Sequence, residues 1–165
     1  MNEQTLARLR NRWKMYGYFL LDLPGAFFFG LRIKSIDLER SVVQVPYRWS
    51  TKNPFQSIYF AALSAAAELS TGILALAAVE GKSMSMLVTK VQGEFLKKAR
   101  GIIFFECNDV AALMEAVEFA RTHEQGSNVT LQSTGKNEQG EVVAVFNFQW
   151  SFRKKPGKGS VQTAA

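Results

Sequence analysis

From Ser57 to Val79 the chain reads SIYFAALSAAAELSTGILALAAV, apolar on every helical face, with Glu68 as its single ionisable side chain. A helix without a polar face has nothing to turn toward water and must be covered on all sides. The pattern therefore predicts a long buried helix over about 57–79. A carboxylate inside such a helix is either a costly accident or the reason a site exists there.

The remaining pattern supplies the cover. Residues 3–20 form an amphipathic helix, with Leu6, Leu9, Trp13, Tyr16 or Gly17 and Leu20 at helical spacing and Arg8, Arg10, Arg12 and Lys14 on the other sides; Pro24-Gly25 ends it. Strands follow at 31–38 and 43–49. In the second, Val43, Val45, Tyr47 and Trp49 alternate with Gln44, Pro46 and Arg48 after a turn at Glu39-Arg40. Pro46 restricts that strand to an edge, a bulge or a position near its end. Beyond the central helix a long strand spans about 84–98, with Leu87, Val91 and Phe95 as its apolar side, and turns at Gly101 into a continuous apolar strand at 102–107. Asp109 is suited to cap a short helix over about 110–121, with Val110, Leu113, Met114 and Val117 on one face. Strands at 128–135 and 142–153 flank a hairpin loop at 136–140, and the last alternates cleanly through Val142, Ala144, Phe146, Phe148, Trp150 and Phe152. The polar stretch 156–165 reads as a disordered tail after a single domain, 1–155. One antiparallel sheet of about six strands, curved around the long helix, satisfies every apolar face, which makes the fold class α+β.

Composition narrows the function classes. With 47% hydrophobic and 21% charged residues the chain is a folded globular protein. Four of the cations behind the net charge of +6 are Arg153, Lys154, Lys155 and Lys158, so the excess sits largely at the C-terminus. Cys107 is the only cysteine, which excludes an internal disulfide and a Cys-based metal site and points to core packing. The apolar start is broken by Asp22 and Pro24 and has no small-x-small cleavage pattern, so a cytoplasmic protein is expected. Ile58–Val79 is long enough to span a bilayer, but Glu68 near its middle would cost about 2.5–3.5 kcal/mol there, so stable membrane insertion is not expected. The aromatic residues fall on core-facing strand positions and offer no stacking platform for nucleic acid. His123 stands outside any motif, and neither a Ser-His-Asp set nor a metal-ligand cluster is present.

The segment Asn53-Pro54-Phe55-Gln56-Ser57, leading into Ala-Ala-Ala-Glu68-Leu-Ser-Thr-Gly72, resembles the hotdog acyl-CoA thioesterases, and within them an uncharacterised bacterial thioesterase-like subgroup. The phenylacetate-pathway type has an Asn before the helix and a helical Asp fifteen residues later; Asn53 and Glu68 keep that spacing. The resemblance implies a hotdog fold, with the helix as the filling of a curved sheet, and hydrolysis of an acyl-CoA or acyl-carrier thioester. Glu68 would be the general base or nucleophile, and Asn53 would orient water or the substrate carbonyl. The backbone N–H of Phe60 would face the developing oxyanion, and Thr71 would bond to the carboxylate or the water. Lys97, Lys98 and Arg100 could bind the phosphates of coenzyme A, which enters as part of the substrate, or could simply be solvated charges at a strand end; no other cofactor is implied. Tyr59, Phe60 and Ala61 stand where the phenylacetate-type enzymes have His-Gly-Gly, and that substitution keeps open a non-catalytic module that binds an acyl or CoA ligand or serves for dimerisation. Glu68 could equally bond Ser64, Thr71 or backbone and fix a dimer, and Asn53 could be a turn residue before Pro54.

Helix geometry separately predicts a homodimer, possibly a tetramer. Eleven helical residues from Ser57 to Glu68 span roughly 16 Å, so Asn53 and Glu68 of one chain cannot reach one substrate atom. Two chains about a two-fold axis can bring them together.

Overall fold

The computed structural model describes residues 1–155; the tail read at 156–165 lies outside the described residues. Six strands form one sheet: β1 (Arg32–Ile36), β2 (Ser41–Pro46), β3 (Met84–Phe95), β4 (Ile102–Cys107), β5 (Ser127–Lys136) and β6 (Val142–Lys154). Their spatial order is β1-β2-β4-β5-β6-β3, with every neighbouring pair antiparallel. The central helix α4 (Phe60–Val79) packs against β2, β4, β5, β6 and β3, so the sheet curves around it as the pattern requires. It is long and apolar enough to cross a membrane, yet 72% of its apolar window is buried inside the fold.

α4 begins three residues later than expected. Ile58 N–H donates to Ala99 O at 2.8 Å and Tyr59 N–H to Thr51 O at 2.6 Å, which holds Ser57–Tyr59 extended against neighbouring loops. Within α4, Ser70 is accommodated by donating to Ala67 O at 2.8 Å and pairing with Ser133 Oγ at 2.7 Å, while Ser41 donates to Ser70 O. The buried polar atoms of Ser70 are thus paired. Leu74, Ile103, Phe105 and Phe152 are fully enclosed around them. Cys107 is also buried, and desolvation pushes its thiol up to about 11.

The N-terminal arm differs from the single helix expected over 3–20. It consists of α1 (Glu3–Arg10), α2 (Arg12–Asp22) and α3 (Pro24–Phe29). Asn11 is extended and its side chain accepts the N–H groups of Trp13 and Lys14, both at 3.1 Å, so it stops one helix and caps the next. Pro24 does not end the arm; it takes the first turn of α3, where a missing N–H costs nothing. The interruption resets the helical phase. Met15 and Phe19 are buried with Leu6 and Leu9, whereas Trp13, Tyr16 and Leu20, expected on the packed face, are exposed.

The first two strands are shorter than their patterns. Asp37 Oδ1 accepts from Glu39 N–H and Arg40 N–H at 2.8 Å, which turns the chain directly after β1. Pro46 closes β2, an internal strand, from its last position, one of the places open to proline. Tyr47 and Trp49 lie past that end and are exposed rather than continuing the alternation. Helix α5 (Val110–Thr122) follows Asp109, but the Asp109 carboxylate accepts Gln132 N–H at 2.6 Å and so ties the helix start to β5 instead of capping it.

The largest departure is in β3, an edge strand. Leu87, Val91 and Phe95, expected to face the core together, are all more than half exposed. A bulge between Val88 and Lys90 splits the strand. Before it, Met84, Met86 and Val88 pair across from Lys154, Phe152 and Trp150; after it, Val91, Gly93 and Phe95 sit opposite Phe148, Phe146 and Ala144. The extra residue moves Val91 and Phe95 onto the helix side of the sheet while leaving Leu87 on the other.

Candidate active site

One stripe of α4 is left partly uncovered. Phe60, Ser64, Glu68, Gly72 and Leu76 recur every four residues, which places them on one face. Phe60 is 57% and Leu76 38% exposed, and the three between them are half-buried. The other positions of α4 are buried against the sheet with few exceptions. Alongside this stripe runs the second half of β3. Gly93 lets the Phe146 ring lie across its backbone, since a Cβ there would approach the ring to 2.5 Å. Phe95 packs edge-on against Phe146 with centroids 5.4 Å apart, and Phe60 against Phe95 at 6.5 Å. The result is an aromatic wall from the start of α4 to the sheet edge.

Glu68 sits midway along the stripe. Its carboxylate has no hydrogen-bond partner among the described residues, and burial alone raises its pKa above the ordinary value. An unpaired carboxyl in a partly desolvated site is held closer to the neutral range, the condition a general base needs. Its backbone is better fixed than its side chain. Thr71 Oγ1 donates to Glu68 O at 3.0 Å and accepts Trp150 Nε1–H at 3.1 Å, tying this turn of the helix to β6. Thr71 is thus spent on the main chain and on Trp150 rather than on the carboxylate. Gly72 makes room for that carboxylate: a Cβ there would lie 3.0 Å from Glu68 Oε1 and 3.3 Å from the Trp150 ring.

Asn53 organises the loop that leads into α4. Its Oδ1 accepts Phe55 N–H at 3.0 Å, Ser57 N–H at 3.2 Å and Ser57 Oγ–H at 3.2 Å, and its Nδ2 donates to Ile58 O at 3.4 Å. It lines a shallow depression of about 450 Å³ with Tyr47, Lys52, Pro54 and Gln56. Gln56 takes a positive φ of 58° in this loop. Past the loop, α4 starts without a side-chain cap, so the first-turn N–H of Phe60 lacks an internal acceptor and lies at the positive end of the helix dipole. The Tyr59 and Phe60 rings, 4.8 Å apart and edge to face, stand at this opening.

Within one chain Asn53 and Glu68 do not meet, and Phe60 and Glu68, eight helical residues apart, are separated by about 12 Å along the axis. The three cations read as phosphate ligands part company. Arg100 Nε donates to Gln56 O at 3.1 Å and so borders the Asn53 loop, Lys97 is engaged with Glu141 at 2.7 Å, and Lys98 is exposed. Lys52, beside Asn53, and the pair Trp150–Thr71 were not singled out by sequence reasoning. Lys52 carries no sequence signal, and the Trp150–Thr71 contact joins residues 79 positions apart. The aromatic wall did leave a signal, a shift of the apolar phase from Met84, Met86 and Val88 to Val91 and Phe95.

The strand order and the enclosed helix define a hotdog fold. Residues 23–152 match the family described as Domain of unknown function (DUF4442), and the chain belongs to that family. No curated protein matches the chain. Among solved structures it is similar to PA5026 from Pseudomonas aeruginosa, described as a protein of unknown function and "Probable Thioesterase", at 23% identity and a TM-score of 0.74 over 87% of this chain and 96% of that one. The thioesterase HI1161 from Haemophilus influenzae is 12% identical with a TM-score of 0.67, covering 91% and 95% of the two chains. The thioesterase SAV0944 from Staphylococcus aureus is 14% identical with a TM-score of 0.64, covering 79% of this chain and 98% of that one. Structures of SAV0944 carry alanine in place of a glutamine or of a glutamate fifteen positions later.

Proposed function

We propose that the protein is a thioesterase that hydrolyses an acyl-CoA or acyl-carrier thioester at a site completed by a second copy of the chain. The carrying observation is Glu68, a half-buried carboxylate without a partner among the described residues, on the uncovered stripe of α4. The polar-residue-to-glutamate spacing altered in SAV0944 equals that from Asn53 to Glu68, which supports the assignment of this pair.

Assembly follows from what one chain leaves open. The exposed side of β3 has unpaired backbone groups, and Val91, Phe95, Phe60 and Leu76 expose apolar surface next to it. Pairing of β3 with its copy about a two-fold axis continues the sheet and covers the stripe. It also brings the partner's Asn53 loop and the partner's Phe60 N–H toward Glu68, which the distance of about 12 Å forbids within a chain. Glu68 then takes a proton from water as the water attacks the thioester carbonyl. The Phe60 N–H stabilises the oxyanion, Asn53 orients the water or carbonyl, and the thiolate leaves and is protonated. Thr71 is a positioning residue that holds the Glu68 turn. The aromatic wall offers an acyl chain an apolar surface, while Arg100, Lys98 and Lys52 border the Asn53 loop where an anionic carrier would approach.

A second reading, a non-catalytic acyl- or CoA-binding module or dimerisation scaffold, is favoured by the two aromatic rings at the opening of α4, which narrow the approach to Phe60 N–H. A panel of acyl-CoA thioesters assayed for thiol release separates the two. Wild type should hydrolyse at least one, and Glu68→Gln should lower kcat by about 10²–10⁴-fold with the fold intact. No hydrolysis by wild type, or activity that survives Glu68→Gln, selects the module. Light scattering should give a dimer or a multiple of it; a clean monomer would remove the composite site.

A further inference from the structure

At the opposite end of the sheet from β3, a cavity of about 690 Å³ opens between α2 and the β1 edge. Its lining holds five cations, Arg10, Arg12, Arg32, Lys34 and Arg48, and no carboxylate. The chain's whole net charge is +6, so this concentration exceeds what a solvated surface of mixed sign would show. Among the described residues Arg12, Arg32, Lys34 and Arg48 pair with no acidic side chain, and Arg10 reaches Glu3 only at 3.7 Å.

Two of the five are held in place by neutral acceptors. Arg10 Nε donates to Ile36 O at 2.8 Å. Arg48 donates through Nε to Ser50 Oγ at 2.8 Å and through Nη2 to the carbonyls of Phe27 and Phe28. Its guanidinium lies over Gly30, whose absent side chain makes the space: a Cβ would come within 2.6 Å of Nη1. These bonds orient the guanidinium groups without neutralising them, and fixed forks of this kind suit phosphate and carboxylate oxygens. Leu9, Met15, Phe19 and Leu31 behind the lining are buried in the core, so the apolar surface open to the cavity comes from Trp13 and Tyr16, the latter 55% exposed. Trp13, 79% exposed, stands at the rim.

Exposed aromatic surface beside unneutralised cations specifies a ligand with both characters. We infer that this cavity binds an anionic amphiphile, a phosphate or carboxylate head on the rim arginines with an apolar chain against the exposed rings of Trp13 and Tyr16. The volume is in the range of small-ligand pockets and takes one such molecule. Association through β3 leaves the site open, and it does not rest on the thioesterase reading.

Calorimetric titration of the intact protein with dodecyl phosphate, below its micelle concentration, tests the inference. Inorganic phosphate and dodecyl maltoside supply the head and the chain separately, and sedimentation with phosphatidylglycerol and with phosphatidylcholine vesicles supplies the bilayer source. Dodecyl phosphate or phosphatidylglycerol vesicles should bind, the separate parts and phosphatidylcholine at least about tenfold more weakly. The exposed double variant Arg12→Ala/Arg32→Ala should lose about 10- to 100-fold, and Arg12→Lys/Arg32→Lys should retain most of the affinity. Binding of the monomer alone assigns a free amphiphile, and binding of the vesicle alone a bilayer lipid. No binding of either, or binding indifferent to the alanine pair in a variant with unchanged circular dichroism, overturns the inference. Glu68→Gln should bind as wild type does, so this site and the hydrolytic one fail separately.

Discussion

Thr71→Val removes one hydroxyl and keeps the side-chain shape, which isolates the link between the Glu68 turn and β6. The Glu68 carbonyl loses a donor but keeps its ordinary helical bond from four residues on, so little is lost there. Trp150 is different. Its indole N–H, on a side chain only 3% exposed, loses an acceptor 3.1 Å away. A buried donor left unsatisfied costs about 1–3 kcal/mol, and the valine methyl returns a fraction of this, for a net loss of about 1–2 kcal/mol. For a chain of this size that lowers Tm by about 2–8 °C. Trp150→Phe removes the donor and adds a cavity penalty of its own. The double variant should therefore be less destabilised than the sum of the singles by about 1–2 kcal/mol. Urea unfolding at pH 7 and fixed protein concentration measures this, provided the slope with denaturant is unchanged. Singles that add within about 0.5 kcal/mol would refute the proposed link. The same variants test the positioning role: Thr71→Val should lower kcat with KM little changed, and Thr71→Ser should restore it.

Two further outcomes follow from the packing. Burial raises the Glu68 pKa above its ordinary value of 4.5, so the carboxyl ionises more readily in the unfolded chain. Its contribution to stability is full below that value and is lost as pH rises through the folded one. Glu68→Gln should thus gain stability relative to wild type as pH rises above 4.5; a flat or opposite trend in urea midpoints contradicts the burial argument. Gly30 has a φ of 69° and lies under the Arg48 guanidinium, so Gly30→Ala should cost about 1–2 kcal/mol. Gly17, inside α2 with nothing near its Cα, is the control: Gly17→Ala should stabilise by up to about 1 kcal/mol. Equal effects at the two glycines in urea unfolding would remove the contact argument.

What could be read from the sequence depended on how local its cause was. The all-apolar run at α4 and the alternation of β6 each state their own burial, and the hotdog arrangement follows from them. The first three residues read into the helix were misplaced because their partners, Thr51 and Ala99, act from other segments. Asn11 was a readable signal: an N-cap residue inside a helical pattern marks a restart, and taking it so would have turned Trp13, Tyr16 and Leu20 outward. The charge reading placed most of the excess at the C-terminus, whereas the cationic rim gathers arginines and a lysine from α1, α2, β1 and the turn after β2. Of the candidate site, Asn53 and Glu68 were legible by spacing. Trp150, which fixes Thr71, looked like any other aromatic on an alternating strand.

The bulge at Thr89 makes β3 two half-strands with separate obligations. The half before it, Met84 to Val88, answers to this chain's own interior and can vary only with the residues opposite on β6. The half after it carries Val91 and Phe95 on the helix side of the edge, where Phe95 packs on Phe146 and both remain about half exposed beside the uncovered stripe of α4. One inserted residue thus separates a half-strand that closes the core from one that borders open surface.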